Sequence, residues 1–347
     1  MKDLHDSSSP INVLRRSALK RVAVIAGSAA IFPVPVLAQA KFTYKLGVSQ
    51  TDTHPISVGL KGAAAEILKA SNGALDIQVF PNSQLGGDTD MMSQVRSGGI
   101  QFFCLGGVSW GALLPVASIH AMAFAFPDYP SVWKALDGDL GAHVRGQFAK
   151  FNLVPQAKIW DHGFRHITTS TKAINAPQDL ANFKIRVPVS PVLVSLFKGI
   201  GASPASMNYS ELYTALQTKI VEGQENPLGV VDTAKLYEVQ KYCSLTSHAW
   251  DGQWVVANKR AWDALPDDLR QLASHTFDVF AEKQRAANAA QDLALQESLK
   301  TRGMVFNKVD GQPFREVLQK SGFYQEWKQK LGAEAWTILE KYTGKLA

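Results

Sequence analysis

The strongest constraint on this chain is an alternation of two periodicities. Strand-like runs at "FTYKLGV" (42–48), "ALDIQVF" (74–80) and "IQFFCLG" (100–106) are separated by stretches with helical spacing, over about 56–70 and 88–97. A further strand follows at "LVPQAKIW" (153–160). The same grammar then restarts with "FRHITTS", "FKIRVPV", a helix over about 191–199 and "YSELYTALQTK". Repeated strand–helix units predict an α/β protein whose lobes are sheets with helices on their faces. Residues 266–301 contain no internal Gly or Pro, which predicts one helix of more than 30 residues, long enough to run across two lobes.

The first 40 residues are set aside from this reading. Arg15 and Arg16 precede Leu19 and Lys20, an apolar stretch begins at Val22, and the segment ends on the small-residue pattern Ala38-Gln39-Ala40. That order is an export signal, and the arginine pair points to the twin-arginine route with cleavage after Ala40. The alternative is a membrane anchor, but Pro33 and Pro35 interrupt the run before it reaches the roughly 20 residues a bilayer needs. The segment carries five Lys/Arg and two Asp/Glu, leaving 31 against 28 for the rest of the chain. That small, dispersed excess gives no case for nucleic acid. About 300 residues remain, beyond the size at which one core usually stops growing, so two lobes are expected.

Few motifs carry chemistry. Cys104 and Cys243 each lie in an apolar, strand-like run and are expected as free buried thiols rather than a disulfide. "GVSWG" matches G-x-S-x-G and makes Ser109 a formal hydrolase nucleophile, yet Leu114-Pro115 breaks the helix that such an elbow requires. "DHGFRH" spaces His162 and His166 four apart beside Asp161. It lies in a strand-to-strand passage, so ordinary hydrogen-bonded histidines are expected before metal ligands. Nothing else in the chain calls for a metal or cofactor.

Two features ask for an explanation. Arg186 sits inside the strand "KIRVP", where an unpaired guanidinium costs several kcal/mol. Its partner is either a ligand anion or a protein carboxylate such as Glu225. The segment "EGQENP" (222–227) reads as a polar turn, either solvated or aiming side chains at a site.

The blocks "FKIRVP", "GASPASMNYSELYTALQTKIVEGQENP" and "KLYEVQKYCSLTSH", with "FPNSQLGGDTDMMSQVRSG" and "LPDDLRQL", resemble the solute-binding proteins of TRAP transporters, the C4-dicarboxylate-binding family. The likeness runs in order over most of residues 42–300. It implies a two-lobe periplasmic binding protein fold with a ligand cleft between the lobes and a long helix spanning both. Lobe I would be 41–162 plus 252–291, and lobe II 163–251 plus 292–347. It also implies that Arg186 clamps a substrate carboxylate, that Arg165 of "GFRHITTS" is a second cleft arginine, that Asn226 hydrogen-bonds the same carboxylate, and that Tyr209 forms a pocket wall. The partner would be a TRAP membrane permease; the oligomeric state stays open.

The sequence departs from the sialic-acid-binding relatives, with Gly106 and Ser109 where those place a Glu and an Arg, so sialic acid is not expected. No surplus arginine marks a second anion subsite. Trp110, Trp160 and Trp250, read as lying on cleft loops near His162 and Ser109, point to an apolar ligand tail. The expected ligand is therefore an aromatic or branched 2-oxo or 2-hydroxy monocarboxylate, with a C4-dicarboxylate second and a serine esterase using Ser109 as the competing class.

Overall fold

The computed structural model describes residues 41–347; the predicted export segment lies outside the described residues. The first half alternates as expected: β1 (Phe42–Val48), α1 (Pro55–Ala70), β2 (Leu75–Phe80), α2 (Asp88–Ser97), β3 (Phe102–Gly106) and the short α3 (Gly107–Trp110). Then come α4 (Tyr129–Leu136), α5 (Asp139–Phe148), the three-residue β4 (Leu153–Pro155) and the ten-residue β5 (Trp160–Thr169). The second run holds β6 (Lys184–Val187), α6 (Pro191–Gly199), β7 (Ser203–Ser206), α7 (Leu212–Gln217), β8 (Gly223–Asn226) and α8 (Leu228–Thr233). The chain continues with β9 (Tyr242–Asn258), α9 (Lys259–Ala264), α10 (Asp267–Thr301) and β10 (Val305–Lys308). It closes with α11 (Gln312–Lys320), α12 (Phe323–Leu331) and α13 (Ala333–Thr343).

The strands lie in the order β2-β1-β3-β9-β5-β8-β6-β7, with β4 and β10 also pairing to β9. On each side of the centre the pairs are parallel, β1 with β2 and β3, and β6 with β7 and β8. The two long central strands, β5 and β9, are antiparallel to each other, and they join those parallel groups into one sheet. In such sheets ligands sit outside the carboxyl ends of parallel strands. Here the carboxyl ends of both groups turn toward one place.

The helices follow their apolar faces. Ile56, Leu60, Ala63 and Ile67 of α1, at helical spacing, are buried with Leu46, Val48 and Phe102 of the sheet and Phe277 of α10. The 35-residue α10 packs on α1 and, further along, on α8 and β10. A second core gathers Leu212, Val230, Val231, Leu236 and Leu299. The C-terminal helices bring Trp327 and Trp336 to the opposite face of the sheet. No helix among the described residues is long and apolar enough to cross a membrane.

Some stretches differ in kind from their expected form; residues 161–163, read as a passage between strands, lie within β5. Residues 223–226, read as a turn, are strand β8, buried along its whole length between β5 and β6. Cys104 and Cys243 are free and buried, and burial pushes the Cys243 thiol up to about 12.

Candidate functional site

A cavity of about 30 Å³ opens where the strand ends converge. Ser49 and Gln50 follow β1, Asp88 begins α2, Gly106 ends β3, and Val108 and Ser109 come from α3. From the other side Arg186 and Pro188 come from β6 and its end, Tyr209 follows β7, and Asn226 ends β8. The central strands add His162, Arg165, Asp251 and Gln253.

Arg186 is 1 % exposed between Ile185 and Val187. One terminal nitrogen donates to the Met207 carbonyl at 2.8 Å; Nε has no hydrogen-bond partner and the guanidinium no ion pair among the described residues. Burial lowers its pKa to about 10, with the charge of Arg165 adding and those of Glu225 and Asp88 opposing. It therefore stays charged at neutral pH. A buried cation with a free donor edge on a cavity is an anion receptor.

Arg165 is placed differently. Its Nε and one terminal nitrogen donate to the two Glu225 carboxylate oxygens at 2.6 and 2.8 Å, and its other terminal nitrogen reaches Asp251 Oδ2 at 3.2 Å. So Glu225, the protein carboxylate considered for Arg186, belongs to Arg165. Burial alone would raise Glu225, but the Arg165 charge and hydrogen bonds hold it low. Asn226 Oδ1 accepts from Arg165 at 3.2 Å while Asn226 Nδ2 donates to Gln224 Oε1 at 2.5 Å. Arg165 thus orients the cavity amide, and its donors are largely committed to the protein.

Asp251 anchors the opposite wall. His120 Nε2 and His162 Nδ1 each lie 3.2 Å from its oxygens, and Arg165 touches it as well. These bonds hold its pKa low against the effect of burial. Asp88 accepts from Ser49 Oγ, yet burial still raises its pKa. Tyr209 borders the cavity with a buried hydroxyl that has no hydrogen-bond partner among the described residues, and burial raises its pKa. Ser109 lines the cavity, but none of the histidine hydrogen bonds among the described residues runs to Ser109 Oγ; the cavity histidine His162 bonds Asp251 and Gln50 instead. Among the described residues no group of His, Cys, Asp or Glu could hold a metal ion.

The tryptophans correct the sequence reading. Trp110 packs edge-on against Phe103 and Phe148, Trp160 lies in the core beside α1, and Trp250 meets His120 and Trp133 while donating to Asp161. All three are at most 1 % exposed and none lines the cavity. They sit on α3, at the start of β5 and within β9 rather than on loops. Gly59 explains Trp160: a Cβ there would stand 2.6 Å from the indole, so the glycine admits the ring into the helix–sheet interface. The sequence reading missed Gln50, Asp88, Asp251 and Gln253. Asp88 looked like an ordinary acidic helix start, and Asp251 was hidden beside Trp250.

A sheet of two parallel groups joined by antiparallel strands, with an arginine-bearing cavity at the converging strand ends, is the architecture shared by solved two-lobe solute-binding proteins. Residues 46–330 match the family model of bacterial extracellular solute-binding protein, family 7 (DctP). The chain belongs to this family, whose members serve TRAP transporters. The 2,3-diketo-L-gulonate-binding periplasmic protein of Escherichia coli is 33 % identical over 85 % of this chain and 89 % of its own. A TRAP solute-binding protein from Polaromonas, solved with D-erythronate, superposes with a TM-score of 0.82 at 28 % identity, over 88 % of this chain and 99 % of the other. One from Sulfurospirillum deleyianum, solved with succinate, gives 0.81 at 27 % identity over 88 % and 99 %.

Proposed function

We propose that this protein, exported by the twin-arginine signal of residues 1–40, captures a hydroxy- or oxo-monocarboxylate outside the cytoplasm and delivers it to a TRAP permease. Lobes assigned as 41–162 plus 252–291 and 163–251 plus 292–347 close over the ligand. Its carboxylate lies on Arg186 and the Asn226 amide, with Tyr209 as the wall. The observation that carries this is the unpartnered Nε of a buried, charged Arg186 on the cavity. Each charge-assisted bond contributes on the order of 1.5–3 kcal/mol.

The opposite wall selects against a second carboxylate. Asp251 is held ionised and Arg165 is occupied by Glu225, so a succinate-like ligand would bring its far charge toward a protein carboxylate with no free cation beside it. A ligand hydroxyl can donate to that carboxylate, and a hydroxyl or keto oxygen can accept from the Gln50 amide or the Ser49 hydroxyl. With Trp110, Trp160 and Trp250 in the core, nothing remains to favour an aromatic tail.

A thermal-shift screen of the purified protein against glycerate, lactate, pyruvate, succinate, malate, mandelate and phenylglyoxylate tests this. Ligand at a hundred times its Kd adds about 2.7 kcal/mol. Shifts with hydroxy- or oxo-monoacids, absent in Arg186→Ala, are the expected result. A shift confined to succinate and malate would mean a second anion subsite, and one confined to the ring-bearing acids would restore the aromatic tail.

A further inference from the structure

Gln50 and His162 meet on the cavity wall, and their contact fixes where a proton sits. His162 Nδ1 lies 3.2 Å from Asp251 Oδ2. Burial opposes ionisation of that carboxylate, but the bonds from His120 and His162 and the charge of Arg165 hold it ionised, so Nδ1 carries a hydrogen and donates. His162 Nε2 lies 3.4 Å from the amide nitrogen of Gln50. That nitrogen can only donate, so Nε2 accepts and the imidazole is neutral. The carbonyl oxygen at the other end of the Gln50 amide is buried with no hydrogen-bond partner among the described residues.

A proton on His162 Nε2 reverses this contact. Two donors would then face each other, and a half-turn of the amide puts the Gln50 carbonyl on the imidazolium and the NH2 where the carbonyl stood. Imidazole is the side chain that gains and loses a proton between about pH 5 and 8. The charges around the ring pull both ways. Asp251 from β9 and Asp88 at the start of α2 favour the imidazolium. Arg165 from the same strand, bonded to Asp251 and Glu225, opposes it, as does Arg186 on the same cavity. His120, from the segment between α3 and α4, shares Asp251. His54, just before α1, has its ring 5.8 Å away and is kept neutral chiefly by burial.

We propose that His162 and Gln50 form a proton-set selector: neutral His162 turns the Gln50 carbonyl to the ligand, and protonated His162 turns the Gln50 NH2 to it. A ligand hydroxyl suits either state, because it both donates and accepts. A keto oxygen only accepts, so it meets another acceptor in the neutral state and a donor in the protonated one. An oxo acid is therefore bound with uptake of a proton and a hydroxy acid without. His162 acts here through Gln50, as a positioning residue that sets specificity. The selector rests on the reading that Arg186 anchors the carboxylate.

Isothermal titration with two pairs that differ only at this oxygen, lactate with pyruvate and mandelate with phenylglyoxylate, tests it. All four carboxylates stay ionised at neutral and mildly acidic pH. From about pH 8 to pH 6, affinity for the oxo member of a pair is expected to rise about tenfold relative to its hydroxy partner. At neutral pH the binding enthalpy of the oxo member should differ between phosphate and Tris, the mark of proton uptake, and that of the hydroxy member should not. His162→Gln, and Gln50→Met with no amide to turn, are each expected to abolish the pH dependence of the ratio and the proton uptake. His166→Asn, a buried histidine off the cavity, is expected to keep both. A ratio constant with pH in the parent protein, or a pH dependence that survives His162→Gln or Gln50→Met, overturns the selector alone. If no member of either pair binds, the carboxylate anchor falls and the selector with it.

Discussion

Arg165 and Arg186 flank β8 from its two neighbouring strands and are equally buried, at 1 % exposure each. Their surroundings make them opposites. Arg165 neutralises Glu225 and touches Asp251, whereas Arg186 keeps one protein hydrogen bond. Replacing each by methionine, similar in length and uncharged, separates structure from recognition. Arg165→Met strands two buried carboxylates and is expected to lower unfolding free energy by about 3–5 kcal/mol. Arg186→Met removes an uncompensated charge, so stability in urea should hold or rise while ligand affinity falls at least a hundredfold. Equal loss of stability in both variants would show that Arg186 is a structural ion rather than a receptor.

At the scale of elements, the informative feature is how secondary structures distant in sequence complete one another. The N-cap of helix α2 is Gly87, which has no side chain to cap it, and Asn208 Oδ1 accepts from the Thr89 amide at 3.3 Å. A residue 119 positions away therefore caps the helix whose first residue, Asp88, lines the cavity. Asn208→Ala is expected to destabilise by about 1 kcal/mol and to weaken ligand several-fold. Calorimetry checks both, and a tighter-binding variant would refute the cap.

The β5–β9 pair carries a pH dependence. His166, buried on β5 with His248 nearby, has its pKa lowered to about 3, chiefly by burial. Between that value and the ordinary 6.5 the unfolded chain takes up a proton that the native imidazole refuses. Stability is thus complete above about pH 6.5 and declines as pH falls, by roughly 1 kcal/mol per unit for this residue. Melting temperatures at pH 7.5 and 5.5 should differ less in His166→Asn than in the parent. His248 and His54, also lowered by burial, act in the same direction.

For the whole molecule, β9 with 17 residues and α10 with 35 run the length of a sheet whose two parallel groups share one cavity. A ligand touching both sides favours the closed arrangement by its differential affinity. Small-angle scattering should record a smaller radius of gyration with saturating ligand, and no change for Arg186→Ala. An unchanged radius in the parent protein would mean that the cleft is already closed without ligand.

Periodicity and the uninterrupted run over 266–301 were enough to foresee the α/β class and the long helix, because those depend on local spacing that any chain must obey. Arg186 was legible for the same reason: a charge within an apolar strand has to meet something. The segment 223–226 was not, since its Gly, Gln, Glu and Asn lack the β-branched signature of a strand. Its polar atoms find partners only when β5, β6 and β9 surround it. Nor was it legible that Trp160 turns into the core while His162 and Arg165 line the cavity, or that Arg165 is bound to Glu225. Register shifts between β5 and β9 at 161–163 and 165–167 decide which of these face the cavity, and a slip of one residue sends every side chain to the other face. Sequence determined what the strands are made of; only tertiary pairing decided where they point.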